Sequence, residues 1–282
     1  MLGTLLIVFR EIIEAGLIVG IVLAATRGVP GRGLWVSLGV AGGVLGACIV
    51  AAFAGGIASL FQGSGQELFN AAILILAVGM LTWHNVWMAS HGREMSRDLK
   101  AVGAQVRQGG KSLLALAVVV GVAVLREGSE VVLFLYGIAA GGGASVAGML
   151  TGGVLGVILG AGLSLLMYLG LLAIPAHRLF AATTGLITLL AAGLAAQAAA
   201  FLQQAGTITT LQTPLWDTSA VLSEGSMLGR LLKTLIGYTD QPNGLQLIVW
   251  LGVVAMMVTL MRMVNGAKAA NRPSTPVPQP AE

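Results

Sequence analysis

Long apolar runs separated by short polar connections make up most of this chain, and the runs have membrane-crossing length, about 20 residues. Seven spans follow: 2–25, 34–61, 66–90, 112–140, 145–173, 178–205 and 245–264. Residues 33–66, 131–177, 179–216 and 241–261 contain no Asp, Glu, Lys or Arg. The 131–177 run holds 47 residues, too many for one crossing, and is expected to fold back at Gly141-Gly142-Gly143. Residues 91–111 read as a basic loop and 206–244 as the largest outer connection. Within the latter, Met227, Leu228, Leu231, Leu232, Leu235 and Ile236 share one helical face opposite Arg230, Lys233 and Thr234, which predicts a helix on the outer membrane surface. Residues 265–282, with four prolines in 273–280, read as a disordered cytoplasmic tail.

Composition agrees with an all-α polytopic membrane protein, residues 1–264 forming one transmembrane domain. Of 282 residues, 56% are hydrophobic and 9% charged, and the mean hydropathy is +0.91. The single cysteine, Cys48, excludes a disulfide framework or a thiolate metal site within one chain. The N-terminus has no basic segment before its apolar run, so it is expected to be a span and not a cleaved signal. Arg27, Arg32, Arg93, Arg97, Lys100, Arg107, Lys111, Arg178, Lys268 and Arg272 fall on one side of the seven-span arrangement and only Arg230 and Lys233 on the other. The positive-inside rule then puts the N-terminus outside and the C-terminus in the cytoplasm. The formal charge of +4 is therefore a matter of topology and not of nucleic-acid binding. Trp35, Trp83 and Trp87 are expected at the inner interface.

Against this apolar background one charged string occurs twice, Arg10-Glu11-Ile12-Ile13-Glu14 and Arg126-Glu127-Gly128-Ser129-Glu130. Helical spacing puts each Arg and its two Glu on one face. Other elements recur too: Gly42-Gly43-Val44-Leu45-Gly46 returns as Gly152-Gly153-Val154-Leu155-Gly156, and Leu68-Phe69 as Leu179-Phe180. Three spans separate the copies. Residues 1–90 and 112–205 therefore read as an inverted three-plus-three repeat followed by one additional helix, with a site near mid-membrane at the repeat interface. Gly39/Gly43, Gly42/Gly46 and Gly152/Gly156/Gly160 read as helix-packing positions.

Ionised side chains in a bilayer core cost at least about 2.5–3.5 kcal/mol each on insertion scales, so a doubled cluster needs a use. Carboxylate oxygens are hard ligands suited to iron, manganese, magnesium or calcium. Glu11, Glu14, Glu127 and Glu130 are thus candidate ligands, and Arg10 and Arg126 would hold part of their charge ionised when the site is empty. The alternative is a pair of structural ion clusters. An intramembrane di-iron enzyme is a further reading, but such sites use Glu-x-x-His, and neither motif has a histidine at that position. His84, Met88 and His91 are read as interface residues ahead of exit ligands. Asp217 and Glu224 are read as solvated loop acids ahead of an entrance for cations.

The two Arg-Glu-x-x-Glu motifs, Leu-Phe after Glu67, Trp216-Asp217-Thr218-Ser219 with Leu222-Ser223-Glu224, and Gly237-Tyr238 together resemble the oxidase-dependent iron permease family, over residues 1–264. The outer connection lacks the Glu-x-x-Glu pair of some fungal relatives. What the resemblance implies is a high-affinity transporter that is not an enzyme, moving iron inward across the cytoplasmic (inner) membrane. Iron would be substrate, with no resident cofactor. Glu11, Glu14, Glu127 and Glu130 would handle it beside Arg10 and Arg126. An extracytoplasmic oxidase or iron-binding protein would be the partner. A permease for lead, manganese or another cation is the alternative, because oxygen ligands discriminate weakly.

Overall fold

The computed structural model describes residues 1–60, 65–140, 145–170 and 176–270, and within these every regular element is a helix. They are α1 (Leu2–Ala25), α2 (Arg32–Leu60), α3 (Gln66–Arg107), α4 (Leu114–Ala140), α5 (Val146–Tyr168), α6 (Ala176–Gln204), α7 (Met227–Ile236) and α8 (Gly244–Ala270). The glycine run at 141–143 and the end of the tail lie outside the described residues; α8 continues six residues beyond position 264.

Burial in this molecule is inverted relative to a water-soluble bundle. Five helices are long and apolar enough to cross a membrane: α2, the first part of α3 (Gln66–Met88), α5, most of α6 and α8. The most apolar of them turn Leu45, Phe53, Val146, Leu150, Ile158 and Leu251 outward, whereas Arg10, Glu11, Glu14, His84, Glu127 and Glu130 are buried. Apolar surface gains nothing by leaving lipid, and a charge has no water there, so apolar groups face out and charges converge inside. The chain is a multi-pass membrane protein. Helices α1 and α4 are also long enough to cross, but each carries one of the charged clusters.

Two close helix pairs build the centre, α1 against α5 and α2 against α4. Glycine makes both contacts tight. A Cβ on Gly39 would lie 2.6 Å from the Ala117 carbonyl oxygen, and one on Gly43 would lie 2.7 Å from that of Gly121. On α5, a Cβ on Gly152 would collide with the Met1 carbonyl, and one on Gly156 would lie 2.9 Å from that of Leu5. The contacted residues, Met1 with Ala117 and Leu5 with Gly121, are each 116 positions apart, while their glycine partners are 113 apart. The Gly-Gly-Val-Leu-Gly match, at a spacing of 110, is therefore out of register by three residues. Gly42, predicted to pack with Gly46, meets nothing within 4 Å.

Two other expectations are corrected. Residues 91–107 are no loop: α3 runs unbroken to Arg107, about 63 Å at 1.5 Å per residue, twice a bilayer core. Its Gly103 abuts Ala25 at the end of α1, and Leu99 and Val106 pack with Ile18, Val22, Val36 and Leu116. From Glu14 to Ala25 is about 16 Å of α1, whereas from His84, which touches Glu14, to Gly103 is about 28 Å of α3. The second half of α3 thus cannot run straight beside α1, and it closes the base of the bundle beneath it. Nor does α7 simply lie on the surface. Capped by Ser226 and by Gly237 at φ 75°, it ends with Gly237 backbone-to-backbone against Gly193, midway along α6, and Trp250 donates to the Ile236 carbonyl at 2.7 Å. The amphipathic pattern is real, with Met227 and Leu228 exposed and Leu231, Leu232 and Leu235 half-buried, but much of that face packs on protein.

Candidate metal-handling site

Helices α1, α3 and α4 cross where the charged residues lie. On α1, Arg10 forks across two carboxylates, Nη1 to Glu11 Oε1 at 2.9 Å and Nη2 to Glu14 Oε1 at 2.8 Å, as the i,i+1 and i,i+4 spacing allows. On α4, Arg126 Nη2 is 2.6 Å from Glu127 Oε1, and its Nε is 3.9 Å from Glu130. The two arginines are not equivalent. Arg10's side chain is 3% exposed and Arg126's is 31% exposed. Arg126 also lies over the Trp87 ring, 5.0 Å from its centroid, and reaches the Met88 sulfur at 3.9 Å.

Between the two clusters stands His84 of α3, buried, with Nδ1 2.5 Å from Glu130 Oε2 and Nε2 3.3 Å from Glu14 Oε2. It ties together the last glutamates of the two motifs. The first glutamates, Glu11 and Glu127, each keep one buried oxygen, Oε2, without a hydrogen-bond partner. One ligand atom each from Glu11, His84, Glu127 and Glu130 lies within 4.8 Å of the others. Donors on opposite sides of a cation are about 4–5 Å apart, so this set already has the dimensions of a coordination shell. Three carboxylates and an imidazole suit borderline first-row metals.

Apolar residues close the site on both sides. Toward the beginning of α1 lie Ile7, Leu81, Phe134 and Ile138; toward its end lie Ile18, Val22, Val120 and Val124. The carboxylates therefore sit in a closed compartment in this conformation.

All six residues singled out by the sequence come together here. His84, expected at the membrane interface, does not belong there; it is central to the cluster. Leu74, Ala77, Leu81 and His84 recur at i, i+3, i+4 spacing on the buried face of α3, which is the signal that places it. Trp87 likewise packs against Arg126, whereas His91 is exposed and stacks on Trp87 at 5.2 Å. Asn85 is buried too, and neither of its amide atoms has a hydrogen-bond partner among the described residues. The outer acids stay apart from the cluster. Glu224 pairs with Lys233, and Asp217 accepts from the Ser219 amide at 2.8 Å and from Gln241 at 2.9 Å. Hydrogen bonds from Ser219 hold the Asp217 carboxyl below its ordinary pKa.

No solved structure matches. The ferrous iron permease EfeU of Escherichia coli O6:K15:H31 is 32% identical over 249 residues, covering 87% of this chain and 89% of that protein. EfeU of Shigella flexneri is 34% identical over 191 residues, 67% of this chain and 80% of its own. A protein of Escherichia coli K12 described as a putative inactive ferrous iron permease EfeU is 32% identical over 251 residues, so overall similarity does not by itself measure activity. The profile of the iron permease FTR1 family matches residues 1–267, and the chain belongs to that family.

Proposed function

We propose that this protein carries iron inward across the cytoplasmic membrane through one site built from both Arg-Glu-x-x-Glu motifs and His84. The observation that carries the reading is that both motifs meet at one buried histidine, which touches Glu14 and Glu130 and lies in one ligand-sized group with Glu11, Glu127 and Glu130, with unpartnered oxygens on Glu11 and Glu127. A structural ion cluster has no use for unpartnered carboxylate oxygens, which are costly in an apolar interior. A cation passing through would satisfy them. The apolar closure on both sides corresponds to an occluded state, from which each side opens in turn.

Seven spans with an inverted repeat are part of this proposal. In its support, the first helix of each half packs on the second helix of the other, α1 on α5 and α4 on α2, through glycines at matching places. On that reading His84 breaks the symmetry, since the 111-residue spacing of the Leu-Phe pairs relates it to Ala195. One imidazole in a carboxylate site favours transition metals over calcium and magnesium. We further propose an outside N-terminus, from the distribution of Lys and Arg, and delivery of iron by an extracytoplasmic oxidase or iron-binding protein.

Reconstituted vesicles test the function. Iron should accumulate, with manganese slower and calcium negligible; equal rates for iron and calcium, or accumulation no greater than in empty vesicles, would exclude the assignment. Orientation is tested in cells with Cys48 replaced. Single cysteines at 100–108 should resist an impermeant thiol reagent and those at 218–226 should react, and the opposite pattern would invert the topology.

A further inference from the structure

The geometry points to a binding site for one anionic phospholipid in the cleft between α1, α3 and α5, separate from the metal cluster. This cleft has a volume of about 510 Å³, and its walls include Gly20 and Ala24 of α1, Ser164 and Tyr168 of α5, and Lys100 and Arg107 of α3. It opens at the end of α1 where Gly103 abuts Ala25, the level at which the second half of α3 passes beneath the bundle. That is the end carrying the basic connections.

Three features identify the occupant. Lys100 and Arg107 are two turns apart on one face of α3, both exposed, and neither forms a salt bridge among the described residues. No acidic residue stands three or four positions from either one, the spacing at which helical side chains meet; Asp98, two from Lys100, points elsewhere. Two cations without counter-ions at the mouth of a membrane-facing cleft suit a phosphate headgroup. Below them the walls are mostly apolar and small, and from Ala24 to Gly16 the cleft extends about 12 Å, room for a glycerol backbone and the start of an acyl chain. Ser164 lies about 6 Å deeper than Tyr168, at the depth of the lipid esters, and its buried hydroxyl has no hydrogen-bond partner.

The same charges exclude the obvious competing role. The cleft begins near Glu14 and could be taken for a metal exit, but a cation leaving past Lys100 and Arg107 would be repelled by both. A lipid bound here would add to the packing of Gly103 on Ala25 and brace the base of α3 against α1, whose polar contact is His84 with Glu14.

The test needs no transport assay, so its outcome is independent of the proposed function. Purified protein in a neutral detergent is titrated with phosphatidylglycerol, phosphatidylcholine or inorganic phosphate, and followed by native mass spectrometry and thermal unfolding. Phosphatidylglycerol should remain bound as a discrete adduct and raise the melting temperature, with no such effect of the other two. The Lys100→Gln/Arg107→Gln double variant should bind it about thirtyfold more weakly. Gly20→Leu, which fills the cleft without touching the charges, should weaken it comparably. Arg27→Gln and Lys111→Gln, at the same end but outside the cleft, should bind as the parent does. The proposal is overturned by equal binding of phosphatidylcholine, by an equal effect of inorganic phosphate, or by equal losses in the Arg27 and Lys111 variants. The double variant alters two exposed side chains, so it decides the matter even where Gly20→Leu does not fold.

Discussion

Glu11→Gln and Glu127→Gln are each expected to lower iron uptake by more than about a hundredfold while the protein still inserts and accumulates normally. These two carboxylates face the site with an oxygen that no protein group satisfies, so amide substitution removes a ligand and little else. Residues that merely orient a metal ligand are worth about 10–100-fold in metal affinity or activity, and a ligand itself is worth more. Glu14 and Glu130 are held by His84, and Glu14 also by Arg10. Glu14→Gln should therefore fall within that lower range, whereas Glu130→Gln, which removes a member of the four-residue ligand set, should lose as much as the first two variants. On the proposal that both motifs serve one site, the Glu11→Gln/Glu127→Gln double variant should be no worse than the poorer single variant. The measurement is initial uptake of radioactive iron at matched expression. Normal uptake by either single variant removes that residue from the site, and strictly multiplicative losses would point to two sites instead of one.

Arg10→Lys should abolish transport and destabilise the protein together, whereas Arg126→Lys should lower transport and leave stability nearly unchanged. The sequence presents the two arginines as equivalents. Burial separates them. Arg10 is enclosed and its planar fork is shared between two carboxylates, a geometry that an ammonium on a flexible stem does not reproduce. Removing a buried partner outright costs about 3–5 kcal/mol, and Lys, which keeps the charge but holds only one of the two carboxylates, should lose part of that. Arg126 is nearly one-third exposed and rests on Trp87, so a lysine there has room to shift and keep a cation beside Glu127. Thermal unfolding of both variants in detergent, beside uptake in vesicles, tests this. Equal destabilisation would show that exposure does not distinguish them; full activity in both would reduce the arginines to charge balance.

Much of this protein is legible in its sequence. Apolar runs are written locally: about 20 such residues form a helix wherever they lie, so α1, α2 and α4 to α6 begin and end within a few residues of the expected places, and α2, α5 and α6 are among the five long and apolar enough to cross a membrane. The motifs were legible for the same reason, since six ionised groups in such runs are too costly to be incidental. The resemblance carried by those motifs then led to the right family.

Tertiary structure decided the rest. That the motifs meet at His84 depends on three helices crossing: the spacing of Leu74, Ala77, Leu81 and His84 puts the histidine on the buried face of α3 but does not say what it meets there. The glycine register was misread because a five-residue identity is visible in sequence, whereas the contact that matters is between backbones, and only its geometry reveals the 113-residue spacing. The course of residues 91–107 was misread because a charged, periodic segment can leave the bilayer as a loop or as a helix; Leu99 and Val106 choose the helix by packing on α1 and α4. Charge and hydropathy along the chain thus determine which segments enter the membrane and what they carry. Only the packing determines which carried groups face one another, because that depends on distances between helices far apart in sequence.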